Sequence, residues 1–147
     1  MIVPAVVLDA SVTAAWLLPE EASEASRKVY VRLRRGSLVL HAPELWLWEC
    51  GNIIANGVKR SRITSQDALL TWSVLDAIRA RVEMTSPAPS QARETLVIAL
   101  YHGLSIYDAA YLWLARSLRL PLLSTDRSLI RAAEKSRVRV VGMEEVA

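Results

Sequence analysis

The sequence predicts one α/β domain built on a parallel sheet with helices on both faces. Short apolar, β-rich runs alternate with helical patterns along the whole chain, the signature of strands joined by helical crossovers. A chain of 147 residues fits one domain with a sizeable core. At 52% hydrophobic and 22% charged residues, without repeat, low-complexity tract or linker, it has the composition of a folded protein.

The elements follow in order. Residues 3–8 read as a first, buried strand, and residues 11–18 as a short helix stopped by Pro19. A second helix covers residues 22–35, with Gly36 just past its end as a stop signal. Residues 38–41 form a short strand closed by Pro43, which stands immediately before a helix over 44–58 that carries Gly57 near its end. Ser65 is the expected N-cap of a helix over 65–79, whose apolar positions Ala68, Leu69, Trp72, Leu75 and Ile78 keep a helical period. A strand over 82–84 and helices over 90–101 and 105–118 come next. A buried strand over 122–124, a helix over 128–135 and a closing strand over 138–141 complete the chain.

Several function classes drop out. No apolar run approaches the ~18 residues that suggest a membrane span, and no basic segment followed by a long apolar stretch marks a secretory signal. The single cysteine, Cys50, excludes an internal disulfide and fits a reducing compartment; it reads as a small buried helix residue, and the protein as cytoplasmic. The net charge is +3, and the basic residues, mostly arginine, cluster in three groups. These are Arg27 to Arg35, Lys59 to Arg62, and Arg127 to Arg139. Arginine suits phosphate, although such a cluster on an amphipathic helix is commonly a solvated face.

The acids carry the chemistry. Asp9 ends the apolar run Val6-Val7-Leu8, at the carboxyl end of a strand, where open α/β sheets bind ligands. It either caps the following helix or holds something positive. Glu49 interrupts an otherwise apolar helical stripe of Leu45, Trp46 and Ile53, with Asn52 the other polar residue on that face. Pairing with an arginine is the alternative. Glu44 opens the same helix and suits its dipole. Asp108 fits a capping box with Ser105 as N-cap, and that geometry also projects a carboxylate from the helix end. Asp126 follows the buried run 122–125 and precedes a helix, as Asp9 does; capping by Thr125 or Asp126 is the competing explanation. Of five aspartates, three fall at strand-to-helix or helix-start positions facing one edge, while Asp67 and Asp76 look solvated.

Clustered carboxylates repel and raise one another's pKa values unless a cation joins them. All-oxygen ligand sets select hard cations such as Mg²⁺ or Mn²⁺, and such a site suits phosphodiester hydrolysis. Neither His41 nor His102 has zinc-ligand spacing with another His or Cys.

In order along the chain stand Val-Val-Leu-Asp9-Ala-Ser11, Pro43-Glu44-Leu-Trp-Leu-Trp-Glu49-Cys-Gly-Asn52, Tyr107-Asp108-Ala-Ala-Tyr-Leu and Leu-Ser-Thr125-Asp126. This ordered set, over essentially the whole chain, resembles the motifs of PIN-domain ribonucleases, above all the VapC-type toxins of toxin–antitoxin pairs. The resemblance implies an α/β fold, a three-layer α/β/α sandwich with a mainly parallel central sheet, as one PIN domain over residues 1–147. It implies a Mg²⁺ or Mn²⁺ site in which Asp9, Glu49 and Asp108 are the core acids and Asp126 the fourth. Ser11, Asn52 and Thr125 match supporting positions that orient carboxylates or metal-bound water.

The expected mechanism has one or two metal ions held by Asp9, Asp108 and Asp126, with Glu49 acting directly or through water. Activated water attacks phosphorus in line and leaves a 5′-phosphate and a 3′-hydroxyl. Arg127, adjoining the site, is a candidate for gripping RNA phosphate, or else a solvated first-turn residue. The resemblance also implies a small antitoxin that blocks the acidic site, often with a basic side chain, and a homodimer. Trp16, Leu17, Trp46 and Trp72 are candidates for such surfaces, though apolar residues at helical spacing more often form core. Three rivals are weaker. A haloacid-dehalogenase-like phosphatase needs an aspartate two residues after Asp9, where Ser11 stands. A receiver domain needs paired early acids and a late lysine. A PIN-like module that binds RNA or protein without cutting would not need four intact acids.

Overall fold

In the computed structural model, which describes residues 4–147, five strands form one sheet: β1 (Ala5–Leu8), β2 (Val39–Pro43), β3 (Val82–Thr85), β4 (Leu122–Leu123) and β5 (Val140–Val141). Their order is β3-β2-β1-β4-β5, and every neighbouring pair is parallel. Val3, expected in the first strand, lies outside the described residues. The helices are α1 (Ala10–Leu17), α2 (Glu24–Arg34), α3 (Leu45–Lys59), α4 (Ser65–Arg79), α5 (Pro89–His102), α6 (Ile106–Leu118), α7 (Arg127–Lys135) and α8 (Met143–Val146).

The chain leaves β1 towards β2 and β3, then returns across the sheet to β4 and β5. Right-handed crossovers in opposite directions place their helices on opposite faces. The packing agrees: α1, α3 and α4 contact one another, whereas α6 packs on α5 and α7. The strand order reverses between β1 and β4, so the crevice outside their carboxyl ends is the topological switch point. β1 is central and covered on both sides, which explains its unbroken apolar run: Val6, Val7 and Leu8 are fully buried.

Trp46 of α3 is completely buried, and its indole N–H donates to Thr13 Oγ1 of α1 at 3.0 Å. Leu17 is also core, Trp16 is half-buried with its N–H donating to the Ser26 carbonyl, and of the four candidate surface residues Trp72 alone is exposed, less so than Trp48. Gly57 serves close packing as well as helix termination. A Cβ there would lie 3.2 Å from Leu18 Cδ2 and 3.3 Å from Ile63 Cγ1, so glycine lets α3 approach the end of α1.

Helix α4 is capped by Thr64 and not by Ser65, Thr64 Oγ1 accepting the Asp67 N–H at 3.0 Å, and three further elements depart from the sequence reading. The last strand starts at Val140 rather than at residue 138, because the end of α7 continues into a left-handed turn. Arg137 has φ +58°, and the Val138 N–H donates back to the Ala133 carbonyl at 2.9 Å. Residues Pro19–Glu21 form a short 3₁₀ turn after α1. The unanticipated α8 packs on α2, where Arg32 donates to the Val146 carbonyl at 2.8 Å.

Trp46→Phe removes one buried hydrogen bond and should cost about 1–2 kcal/mol, whereas Trp46→Ala should cost about 3–5 kcal/mol. Urea unfolding of the two variants against wild type measures both; equal stability of all three would exclude a central role for this side chain.

Candidate active site

Asp9 occupies the N-cap position of α1, yet its side chain caps nothing. Its backbone N–H is held by the Leu123 carbonyl at 3.0 Å, locking the end of β1 to β4. The carboxylate is almost sealed, at 4% exposure, and two hydroxyls converge on one oxygen. Ser11 donates to Oδ2 at 2.7 Å and Ser124 donates to the same atom at 2.6 Å. Both hydroxyls are themselves aimed by the turn after β4. The Thr125 N–H donates to Ser11 Oγ at 3.2 Å, and the Asp126 N–H to Ser124 Oγ at 3.0 Å. Among the described residues no side chain donates to Oδ1, and the Ser11 backbone N–H adds a smaller pull on the carboxylate. The capping explanation for Asp9 therefore fails.

Glu49, half-buried on α3, is paired with a phenol and not with an arginine. Tyr111 of α6, fully buried, donates to Oε1 at 2.6 Å. Burial and the neighbouring Glu49 push the Tyr111 phenol upwards, so it remains a donor. Asp108 lies in the first turn of α6, where Ser105 Oγ accepts its N–H at 3.1 Å. The return half of the expected capping box is not formed, which leaves the carboxylate free to face the cleft. Asp126 does cap: its Oδ1 accepts the Leu129 N–H at 2.8 Å at the start of α7.

Asp9, Glu49, Asp108 and Asp126 line one cleft of about 260 Å³, together with Ala10, Ser11, Asn52, Ile53 and Asn56. No lysine, arginine or histidine lines it. The electrostatic result is strain. Burial raises the Asp9 carboxyl above its ordinary range against the pull of Ser124 and Ser11, and Asp108 raises it further. Burial also raises Glu49, opposed by Tyr111 and reinforced by Asp9 and Asp108. Asp108 is raised by burial and by Asp126, with Ser105 opposing. A cation in the cleft would relieve all three, and an all-oxygen donor set fits a hard one. Among the described residues no three of the acids converge as a ready-made cage.

The supporting residues divide. Ser11 is in place. Asn52 lines the cleft one turn above Glu49, and Asn56, unnoticed in the sequence although seven residues beyond Glu49, extends the same face by a further turn. Thr125 is exposed and contributes its backbone N–H; the hydroxyl that reaches Asp9 belongs to Ser124. Arg127 is exposed, outside the lining of the cleft. Cys50, beside Glu49, is sealed, and burial pushes its thiol up to about 12. His41 belongs to β2, where burial lowers its pKa, and His102 bonds with Ser136; neither lines the cleft.

With this geometry in place, three comparisons bear on kinship. The sequence profile of the PIN domain matches residues 6–135. Ribonuclease VapC3 of Pyrobaculum aerophilum is 30% identical over 123 residues, which span 84% of this chain and 90% of that protein. The crystal structure of PAE2754 from Pyrobaculum aerophilum superposes with a TM-score of 0.72 at 23% identity, over 99% of this chain and 95% of that one, and so shares the fold. A profile that spans most of the sequence, joined to an acidic cleft at the switch point of a parallel sheet, establishes that the chain belongs to the PIN-domain family and has a VapC-type protein among its relatives.

Proposed function

We propose that the protein is a Mg²⁺- or Mn²⁺-dependent endoribonuclease acting as the toxin of a VapBC-type toxin–antitoxin pair. One observation carries the reading: four carboxylates line a cleft with no basic side chain among the described residues, and the most buried of them is anchored by neutral donors. Such an arrangement wastes stability unless a cation enters it. Kinship with a protein named a VapC ribonuclease supports RNA as the substrate and a small antitoxin as the partner. A basic antitoxin side chain would complement the cleft, and a homodimer is the expected assembly.

Asp9, Asp108 and Asp126 would hold the ion, with Glu49 acting directly or through water. The bound ion supplies Lewis acidity and lowers the pKa of water. The chain's own task is orientation. Asp9, Glu49 and Asp126 each have one oxygen engaged by a protein donor, from Ser11 and Ser124, from Tyr111, and from the Leu129 N–H respectively. Each carboxylate is thereby fixed in rotation while its second oxygen stays available. Glu49, held by Tyr111 beside the proposed ion, is the acid we assign to accept a proton from attacking water. Ser11 acts as a holder of Asp9, a role that leaves no acid/base partner for a phosphoaspartate mechanism.

Asp9→Asn should lower RNA cleavage by about 10²-fold or more while the fold persists. Cleavage by wild type should vanish in EDTA and return with Mg²⁺ or Mn²⁺, followed on labelled RNA; undiminished cutting by Asp9→Asn or in EDTA would sink the mechanism. Ser124→Ala should reduce cleavage more than Thr125→Ala does, because of these two residues Ser124 alone bonds the Asp9 carboxylate through its side chain. Equal effects would place the anchor elsewhere.

The raised carboxyls also set a pH dependence. Because Asp9, Glu49 and Asp108 bind protons more tightly folded than unfolded, the metal-free protein loses stability as pH rises from the ordinary carboxylate range through their raised values. Its Tm should therefore climb on acidification from neutral pH across that window, and less so in Asp9→Asn. At neutral pH, Mg²⁺ or Mn²⁺ at a hundredfold over its Kd should add about 2.7 kcal/mol to wild type and far less to Asp9→Asn. Absence of any metal-induced shift in calorimetry would argue against a cation site.

A further inference from the structure

The third basic group of the sequence is not explained by the acidic cleft. Helix α7 starts at the Asp126 cap beside that cleft and carries Arg127, Arg131 and Lys135 at i, i+4 and i+8, all exposed. They form one row with steps of about 6 Å along the axis, while Leu129, Ala132 and Ala133 bury the opposite face. Within α7 the one acid is Glu134, and Asp126 stands at the N-cap beside Arg127 with one carboxylate oxygen engaged by the Leu129 N–H. Past the end of α7 the row meets a groove of about 490 Å³ lined by Arg116, Arg119, Arg137 and Arg139, with no acid in its wall. Arg119 and Arg137 keep φ values of +55° and +58°, a left-handed conformation for which glycine is cheaper. Among the described residues, Arg139 is the only one of these cations in a salt bridge, with Glu145 at 2.9 Å.

Compensation of helix dipoles accounts for Lys135 and Arg116, which sit in last turns. It does not account for Arg127 and Arg131. Arg127 occupies the first position of α7, where the dipole opposes a cation, and no acid stands in that turn. Evenly stepped, unpaired cations leading away from a nuclease cleft match a chain of regularly spaced phosphates, and arginine forks suit phosphate oxygens.

We propose that the exposed row of α7, continued by the arginine groove beyond its end, is a sequence-independent phosphate track that holds the RNA strand flanking the bond cut in the acidic cleft. The inference rests on the ribonuclease reading for its substrate, but binding can be measured without cleavage. In EDTA, anisotropy of a labelled single-stranded RNA of about 20 nucleotides, titrated across KCl concentrations, reports affinity and its salt slope. The variant R131Q/K135Q/R137Q should bind on the order of tenfold more weakly, with a slope of log Kobs against log salt shallower by about 2, three contacts at ~0.7 each. R131K/R137K should keep the wild-type slope. The equally discharged control R34Q/R35Q/K59Q, on exposed positions at the carboxyl ends of α2 and α3, should also keep it. A wild-type slope in the triple variant, an equal loss in the control, or no RNA binding by wild type would overturn the track. If the slopes differ as expected but wild type cuts no RNA with Mg²⁺ or Mn²⁺, the ribonuclease reading falls and the track stands as a binding surface.

Discussion

A carboxylate cannot remain ionised inside an apolar sheet without compensation, and the way Asp9 is compensated determines the design of this protein. Two serine hydroxyls share one of its oxygens, and each hydroxyl is oriented by a backbone N–H of the turn after β4. Neither donor carries charge, so the clamp fixes the side chain without neutralising it. This requires β4 beside β1, in parallel, with the two strand ends level. The register pairs Leu8 with Leu123 and so places Asp9 opposite Ser124. The return crossover through α5 and α6 makes that adjacency possible, and the same helix α6 brings Asp108 and Tyr111 to the cleft.

Charge is segregated along the strands as a consequence. The four acids gather at the carboxyl ends, whereas Arg116, Arg119, Arg137 and Arg139 surround the amino ends of β4 and β5. The modest net charge hides this polarity. Helix α7 spans the two regions, acid-capped at one end and followed by arginine at the other. Its highly apolar inner face is what lets its outer face be given over to cations.

Much of the cleft was legible because its acids break local patterns. Asp9 ends a doubly buried run, and Glu49 interrupts an apolar helical stripe; both are costly without a purpose. Their partners were harder to see. Ser124 lies inside what reads as a buried strand, and the family resemblance marks Thr125 beside it as the supporting position. Alternation along an extended segment puts Ser124 and Asp126 on one side and Thr125 on the other, the signal that could have distinguished them. Tyr111 meets Glu49 across 62 residues, a contact no local pattern encodes. The start of the last strand is hidden for a related reason: Arg137 adopts a left-handed turn without the glycine that ordinarily announces one.

β4 is only two residues long, and its registered pairing with β1 covers two residue pairs, compared with four between β2 and β3. Its position is secured less by the hydrogen-bond ladder than by the burial of Leu122 and Leu123, with Leu129 of α7 also fully buried. The hydrophobic interior thereby acts as the jig that sets the spacing of the polar cleft. Opening a void beneath β4 would let Ser124 drift from Asp9 long before the domain came apart, so precision at this site is governed from residues that never touch it.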